Sequence, residues 1–382
     1  MDATPGPGVY VHVPFCATRC DYCAFATWTD KVHLVDAYVA AVLEEIAAAA
    51  EQEDLGPAAT VYVGGGTPSL LPPSALCTII EAIERQDGAE VTVECNPEST
   101  TNELMAALAD CGVGRISLGV QSTSPRVLAS LGRSQHPGSL RRAVSAIADA
   151  GIGRYNVDLI YGAADEHDAD FAASLRDVFA LDPAPSHLSA YALTIEAGTP
   201  LARDPHRHPD DDAQARRYIL ADEAAEAAGL SWYEISNWAV PGHESRHNLD
   251  CWRQGDYRGF GCAAHSHRGG RRFWNTVSFE RYLAAIREGK TAVAGEERLD
   301  ASRYAEEALE LSLRTRWGVP EGAVSPDDRR LLVEEARLLE PRDDRLVLTR
   351  KGRILANEVA VRLRVPEPEH LSAPKVPSVT NR

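Results

Sequence analysis

Residues 10–25 read YVHVPFCATRCDYCAF, a β-branched run that ends at Pro14 and passes at once into three cysteines, Cys16, Cys20 and Cys23, spaced C-x3-C-x2-C. Thiolates are soft metal ligands, and three on one short loop suit three irons of a cubane [4Fe-4S] cluster. The fourth iron then has no protein ligand in the motif. An iron left open in this way is a reaction site. A structural zinc site is the competing reading, but it asks for a fourth Cys or His and for C-x2-C pairing. Unrelated core cysteines are a third reading; against it, Pro14, Phe15, Tyr22 and Phe25 surround the motif with groups suited to packing around a cluster.

Short β-branched runs alternate with helical patterns from residue 9 to about 240. The expected strands are Val9 to Val13, Val61 to Gly65, Glu90 to Cys95, Arg115 to Val120, Tyr155 to Tyr161 and His187 to Leu193. Between the first two, Leu34, Val35, Tyr38, Val39, Val42, Leu43 and Ile46 fall on one helical stripe. Right-handed βα crossovers in series make a parallel sheet, so the fold class is α/β: a partial (β/α)6 TIM-like barrel. In such a sheet, chemistry gathers on the loops at the strand C-termini. The cysteines follow the first strand and Gly64, Gly65 and Gly66 the second; Glu94 and Asn96 end the third, Gln121 follows the fourth, and Asp158 lies within the fifth. The glycines let backbone approach a ligand closely, although a plain tight turn would use them equally well.

Past residue 300 the pattern changes to two helices, a polar turn PRDDR between short β-prone runs, and a last helix GRILANEVAVRL, which predicts a small helical, winged-helix-like domain. Such a shape serves DNA recognition or, as the acidic charge favours here, a structural cap or protein-docking module. The expected organisation is a barrel over 1–240, a connecting segment over 241–300, the small domain over 301–365 and a proline-rich disordered tail over 366–382.

The chain has 382 residues, 44 % of them hydrophobic, enough for about two domains. Its net charge of -17 opposes a nucleic-acid partner. No run approaches the roughly 18 apolar residues of a membrane span, and MDATPGPG lacks the features of a signal peptide. Eight scattered cysteines suit free thiols and metal ligands in the cytoplasm better than a disulfide framework.

By its cysteine spacing after the first strand of a six-fold series, the chain resembles the radical S-adenosylmethionine superfamily. There the open iron chelates the methionine amino and carboxylate groups, and the reduced cluster cleaves the C–S bond to a 5′-deoxyadenosyl radical. VECNPES, RISLGVQS, LGRSQ, NVDLIYG, LSAYALTIEAGTPL, YEISNWA and GFGCAAHSH are similar to the group that contains oxygen-independent coproporphyrinogen III oxidase and the HemW-type heme chaperones, over roughly residues 8 to 365. Carried over by position, the resemblance implies an S-adenosylmethionine site lined by Tyr10, Tyr22, Gly65, Gly66, Thr67, Glu94, Gln121, Arg133, Asp158 and Ala192, with His265 as a further candidate.

Two features favour the chaperones over the oxidase. The oxidases carry another cysteine two residues past the third, where this chain has Phe25, and a longer arm before the cluster. The chaperones carry a heme-associated H-N-x-x-Y-W signature, matched here by His247, Asn248 and Trp252, with Cys251 at the tyrosine position. Cys251 is a small-residue replacement or a second soft ligand. The function implied is heme binding and delivery to a recipient hemoprotein, a membrane-bound respiratory enzyme, by a protein without an integral membrane segment, at most peripheral at the membrane through partners. A homodimer stays open. The alternatives are the oxidase itself and a tRNA-modifying radical enzyme, the latter opposed by the acidic charge.

Overall fold

The computed structural model describes residues 6–52 and 56–365; the tail expected over 366–382 lies outside the described residues. Six strands, β1 (Gly8–Val13), β2 (Ala58–Gly65), β3 (Arg85–Cys95), β4 (Arg115–Gln121), β5 (Arg154–Tyr161) and β6 (His187–Ala192), lie side by side in chain order and pair in parallel. Helices return the chain between them: α1 (Val35–Glu51), α2 (Pro73–Glu81), α3 (Asn102–Asp110), α4 (Pro125–Ser130), α5 (Ser139–Asp149) and α6 (Asp168–Phe179), with α7 (Asp211–Ala227) after β6.

Each strand alternates in character. Val9, Val11 and Val13 on β1, Val61 and Val63 on β2, and their counterparts Val93, Leu118, Val157 and Leu188 join one buried core with Tyr38, Val42 and Ile46 of α1, Leu76 of α2 and Leu108 of α3. The intervening residues face the other way, and they are polar: Tyr62, Glu94, Ser117, Asn156, Asp158 and Ser189 are linked by hydrogen bonds across the concave side. A period of two therefore puts oil against the helices and a polar lining in the lumen.

The sheet continues beyond the six expected strands. Residues 241–300, expected as a connection, add β9 (Tyr257–Phe260), β10 (His265–Arg268), β11 (Arg271–Asn275) and β12 (Val293–Arg298) on the β1 side, with β9 parallel to β1. On the far side β7 (Ser231–Glu234) and β8 (Asn237–Ala239) extend β6 antiparallel. The result is a 12-stranded sheet in the order β12-β11-β10-β9-β1-β2-β3-β4-β5-β6-β8-β7, not closed, because its edges β12 and β7 do not pair with each other. Helices α8 (Arg246–Trp252) and α9 (Phe279–Arg287) lie between these strands in the chain.

After β12 the chain forms α10 (Ala301–Leu313), a helical stretch from Pro326 to Glu335, the hairpin β14 (Leu339–Arg342) and β15 (Arg345–Leu348) with the short β13 (Val319–Pro320) beside it, and closing helices at 350–354 and 356–360. This unit has its own apolar core around Leu313, Val319, Leu346 and Val359. It is fastened to α7 by Asp222, which accepts from both terminal nitrogens of Arg353 at 2.8 and 2.8 Å and from Trp238 Nε1 at 2.7 Å, with Arg350 also bonded to it.

Candidate functional site

The cysteine loop is pinned at its base. Cys16 N donates to Trp28 O at 3.1 Å, and Trp28 N donates to Pro14 O at 2.7 Å. Beneath it Phe15 meets Tyr38 and Phe279 edge-on, and Trp28 packs on Phe279. Cys16, Cys20 and Cys23 are free and half-buried, and burial raises the Cys16 and Cys23 thiols. Thr67 Oγ1 lies 3.8 Å from Cys16 Sγ, and Arg133 Nη1 lies 3.9 Å from Cys20 Sγ. Among the described residues no three His, Cys, Asp or Glu side chains converge on one metal ion. A cubane does not ask them to, since each thiolate takes its own iron. The donor set, three free thiols on one loop beside a glycine cradle, fits the cluster.

That cradle leaves no room for side chains. A Cβ on Gly66 would lie 2.6 Å from Phe15 O and 3.1 Å from Cys16 Sγ, and one on Gly65, at φ +110°, 2.5 Å from the His12 ring. Gly65 N donates to Glu94 Oε2 at 3.1 Å, while Tyr62 donates to Oε1 at 2.8 Å. Burial, and then Asp158 nearby, push the Glu94 carboxyl up to about 7. Asp158, itself raised by burial, accepts from Asn156 Nδ2 at 2.7 Å and from Ser117 Oγ at 3.2 Å.

Arg133 ties the second half together. It donates to Asn96 Oδ1 at 3.0 Å, Gly119 O at 2.9 Å and Tyr22 Oη at 3.5 Å, while Asn96 in turn donates to Thr67 Oγ1 at 3.2 Å. Gln121 holds a left-handed φ of +67°, and a Cβ on Gly119 would sit 3.2 Å from its Nε2. Ala192 ends β6 at an exposed position, paired with Tyr161 of β5. Phe25 is 62 % exposed and lines the cavity beside the cysteine loop.

This solvent-open cavity has a volume of about 680 Å3. One wall is the segment Ala24 to Trp28 with Arg19, another is Tyr10 and His12 of β1, and the third is His247 and Cys251 of α8 with Tyr257 and His265. His265 stacks on Trp274 at 5.6 Å. Tyr10 Oη and His12 Nδ1 lie 3.0 Å apart, and His12 Nε2 donates to Ala26 O at 2.9 Å, so the strand and the loop are held in register.

The heme-associated motif divides on α8. His247 and Cys251, one helical turn apart, face the cavity; Asn248 and Trp252 do not line it, and the Trp252 ring lies 6.0 Å from the Arg314 guanidinium instead. His247 is 7 % exposed on α8, its Nδ1 lies 3.0 Å from Thr60 Oγ1, and its ring stacks on Tyr62 at 5.2 Å. Burial pushes its imidazole down to about 4, so the ring is neutral, as an iron ligand must be. Cys251 opens to the cavity but is walled by protein, which pushes its thiol up to about 12. Tyr62, Thr60 and His12, missed as site residues, were marked in the sequence only by alternation within apolar runs.

Three comparisons bear on this arrangement. The Radical SAM superfamily model matches residues 10–178. The chain is 42 % identical over 365 residues to the heme chaperone HemW of Mycobacterium tuberculosis, covering 92 % of this chain and 93 % of that protein. It is 36 % identical to HemW of Escherichia coli over 69 % of this chain and 71 % of the relative, and 30 % identical to HemW of Bacillus subtilis over 92 % and 97 %. Among solved structures, coproporphyrinogen III oxidase HemN of Escherichia coli superposes with a TM-score of 0.79 over 94 % of this chain and 90 % of that one, at 20 % identity, which speaks for a shared fold.

Proposed function

This chain belongs to the radical S-adenosylmethionine superfamily and, within it, to the HemW heme chaperone family, and from that premise we propose that it binds heme and hands it to a recipient hemoprotein. Cys16, Cys20 and Cys23 hold the [4Fe-4S] cluster in this reading. When bound, the cluster supplies an open iron and one-electron reducing power toward S-adenosylmethionine. Tyr10, Gly65, Gly66, Thr67, Glu94, Gln121, Arg133 and Asp158 enclose S-adenosylmethionine: the glycines admit it close to backbone, Glu94 and Asp158 accept from its ammonium and ribose hydroxyls, and Arg133 holds the cysteine loop and Asn96 in place. Tyr22, Ala192 and His265 complete the rim. His247 takes the heme iron through Nε2.

The observation that carries the reading is a cavity between the cysteine loop and the His247 face of α8, large enough for a porphyrin and bordered by groups of both sites. The recipient is a membrane-bound respiratory enzyme met from the cytoplasmic side; among the described residues no helix is long and apolar enough to cross a membrane, so the partner supplies the membrane attachment.

The test uses anaerobically reconstituted protein with S-adenosylmethionine, a reductant, and either heme or coproporphyrinogen III, following heme absorbance and vinyl products by chromatography. Stoichiometric heme binding that weakens in His247→Ala, with no protoporphyrinogen formed, supports the chaperone. Decarboxylated product without heme binding overturns it in favour of the oxidase.

A further inference from the structure

Position 251 of this chain carries a thiol where the chaperone signature has tyrosine, and the fold turns that thiol into the cavity beside His247. Resting on the heme-binding reading above, we propose that Cys251 is an alternative ligand of the heme iron: His247 and Cys251 form a pair of donors on one face of α8, between which the oxidation state of the iron selects.

Residues four apart on a helix hold their Cβ atoms about 5–6 Å apart on the same side, so a porphyrin lying along α8 meets either donor with a shift of a few ångströms. His247 is buried and aimed at the cavity, its Nδ1 is occupied by Thr60, and among the described residues no hydrogen bond takes its Nε2. Cys251 lines the same space, and no other residue's donor or acceptor holds its sulfur among the described residues. Phe25 and Val277 add apolar surface to the cavity, and Arg19 adds a cation, which together suit a flat apolar ring carrying carboxylates.

Charge decides between the donors. A ferric porphyrin core carries one positive charge more than a ferrous one, so an anionic thiolate gains attraction on the ferric iron that a neutral imidazole does not. Tyrosine also ligates ferric heme as an anion, so a cysteine at this position keeps the kind of donor while softening it. On binding ferric heme the Fe–S bond forms and the thiol proton leaves to water. When a one-electron reductant such as dithionite reduces the iron, the Fe–S bond breaks, the sulfur takes a proton from water, and the Nε2 lone pair of His247 forms the Fe–N bond.

The test is made on cluster-loaded protein carrying ferric heme, read by absorption and EPR, before and after dithionite. Wild type gives a thiolate-type ferric spectrum that Cys251→Tyr converts to a phenolate type and that Cys251→Ser abolishes, either through weaker ferric heme binding or through a spectrum without sulfur ligation. After reduction, wild type and Cys251→Ser coincide and His247→Ala differs from both. Independently of any variant, ferric heme slows iodoacetamide alkylation of Cys251 at least tenfold, measured by peptide mass spectrometry. Full heme occupancy with identical ferric spectra in wild type and Cys251→Ser, or alkylation of Cys251 untouched by heme, overturns this inference and leaves the chaperone reading standing. Absence of heme binding to wild type overturns both.

Discussion

Glu94 Oε2 accepts the Gly65 amide at 3.1 Å, which ties the end of β3 to the glycine turn that follows β2. The bond matters because burial, and then Asp158, raise this carboxyl from its ordinary 4.5 to about 7. An acid raised in the folded state makes that state bind more protons than the unfolded chain across the interval, so stability falls as pH rises from about 4.5 to about 7. Each such proton is worth about 1.4 kcal/mol per pH unit. Glu166 and Glu234 are raised to about 7 as well and stay in place, so the readout is a difference of slopes. In Glu94→Gln, urea unfolding between these pH values shows a decline shallower by up to that amount; an unchanged slope would mean that Glu94 does not titrate there.

The two glycines of the cradle fail differently when given a methyl group. Gly66→Ala pushes on Phe15 O and Cys16 Sγ and so displaces a cysteine; the expected result is fewer irons per chain after reconstitution, with unchanged far-UV circular dichroism. Gly65→Ala forces a side chain into a left-handed backbone and onto the His12 ring, away from the sulfurs. Iron is retained there, and S-adenosylmethionine affinity drops at least tenfold by equilibrium binding. A full iron complement in Gly66→Ala defeats the first half of this argument.

The legible part of the fold was the part with local signals. Six parallel strands were read to within a few residues because each has a β-branched run bounded by turn residues, and the cysteines and glycines announce themselves by spacing. The strands between residues 230 and 300 escaped: β8 is three residues long, β9 and β10 four each, and their place depends on partners far away in sequence, β6 and β1. The polar lumen was also hidden, since Tyr62 inside AATVYVGG reads as one more β-former until the sheet supplies a face for it. At α8 the missing information was helical phase. The motif names His247, Asn248 and Trp252 together, but of the residues of α8 only His247 and Cys251 line the cavity.

Asp222 holds the small C-terminal unit to α7 through Arg353, and both side chains are at most 9 % exposed. Removing one member of a buried, hydrogen-bonded ion pair strands the other, at a cost of about 3–5 kcal/mol. Asp222→Ala therefore lowers the thermal midpoint and speeds proteolysis after residue 300 before the barrel is cut. A loss below about 1 kcal/mol would show that Arg350 and Arg353 find water instead.

Thr60 is fully buried on β2, and its hydroxyl lies 3.0 Å from His247 Nδ1. With Nδ1 engaged, Nε2 is the nitrogen left for iron, so the threonine fixes the ring from behind in the way outer partners orient metal-bound histidines. Thr60→Val keeps the shape and removes the hydroxyl, and heme affinity falls by about 10–100-fold, while Thr60→Ser restores it. Trp252→Ala, on a side chain that does not line the cavity, changes affinity by no more than about twofold, since it breaks no contact with the ligand. Titrations of the cluster-loaded chain with dithionite-reduced heme, the form that His247 holds, are followed at the Soret band and compare the four proteins directly. Should Trp252→Ala bind heme more weakly than Thr60→Val, the heme lies on the opposite face of α8 and the cavity is the wrong room for it.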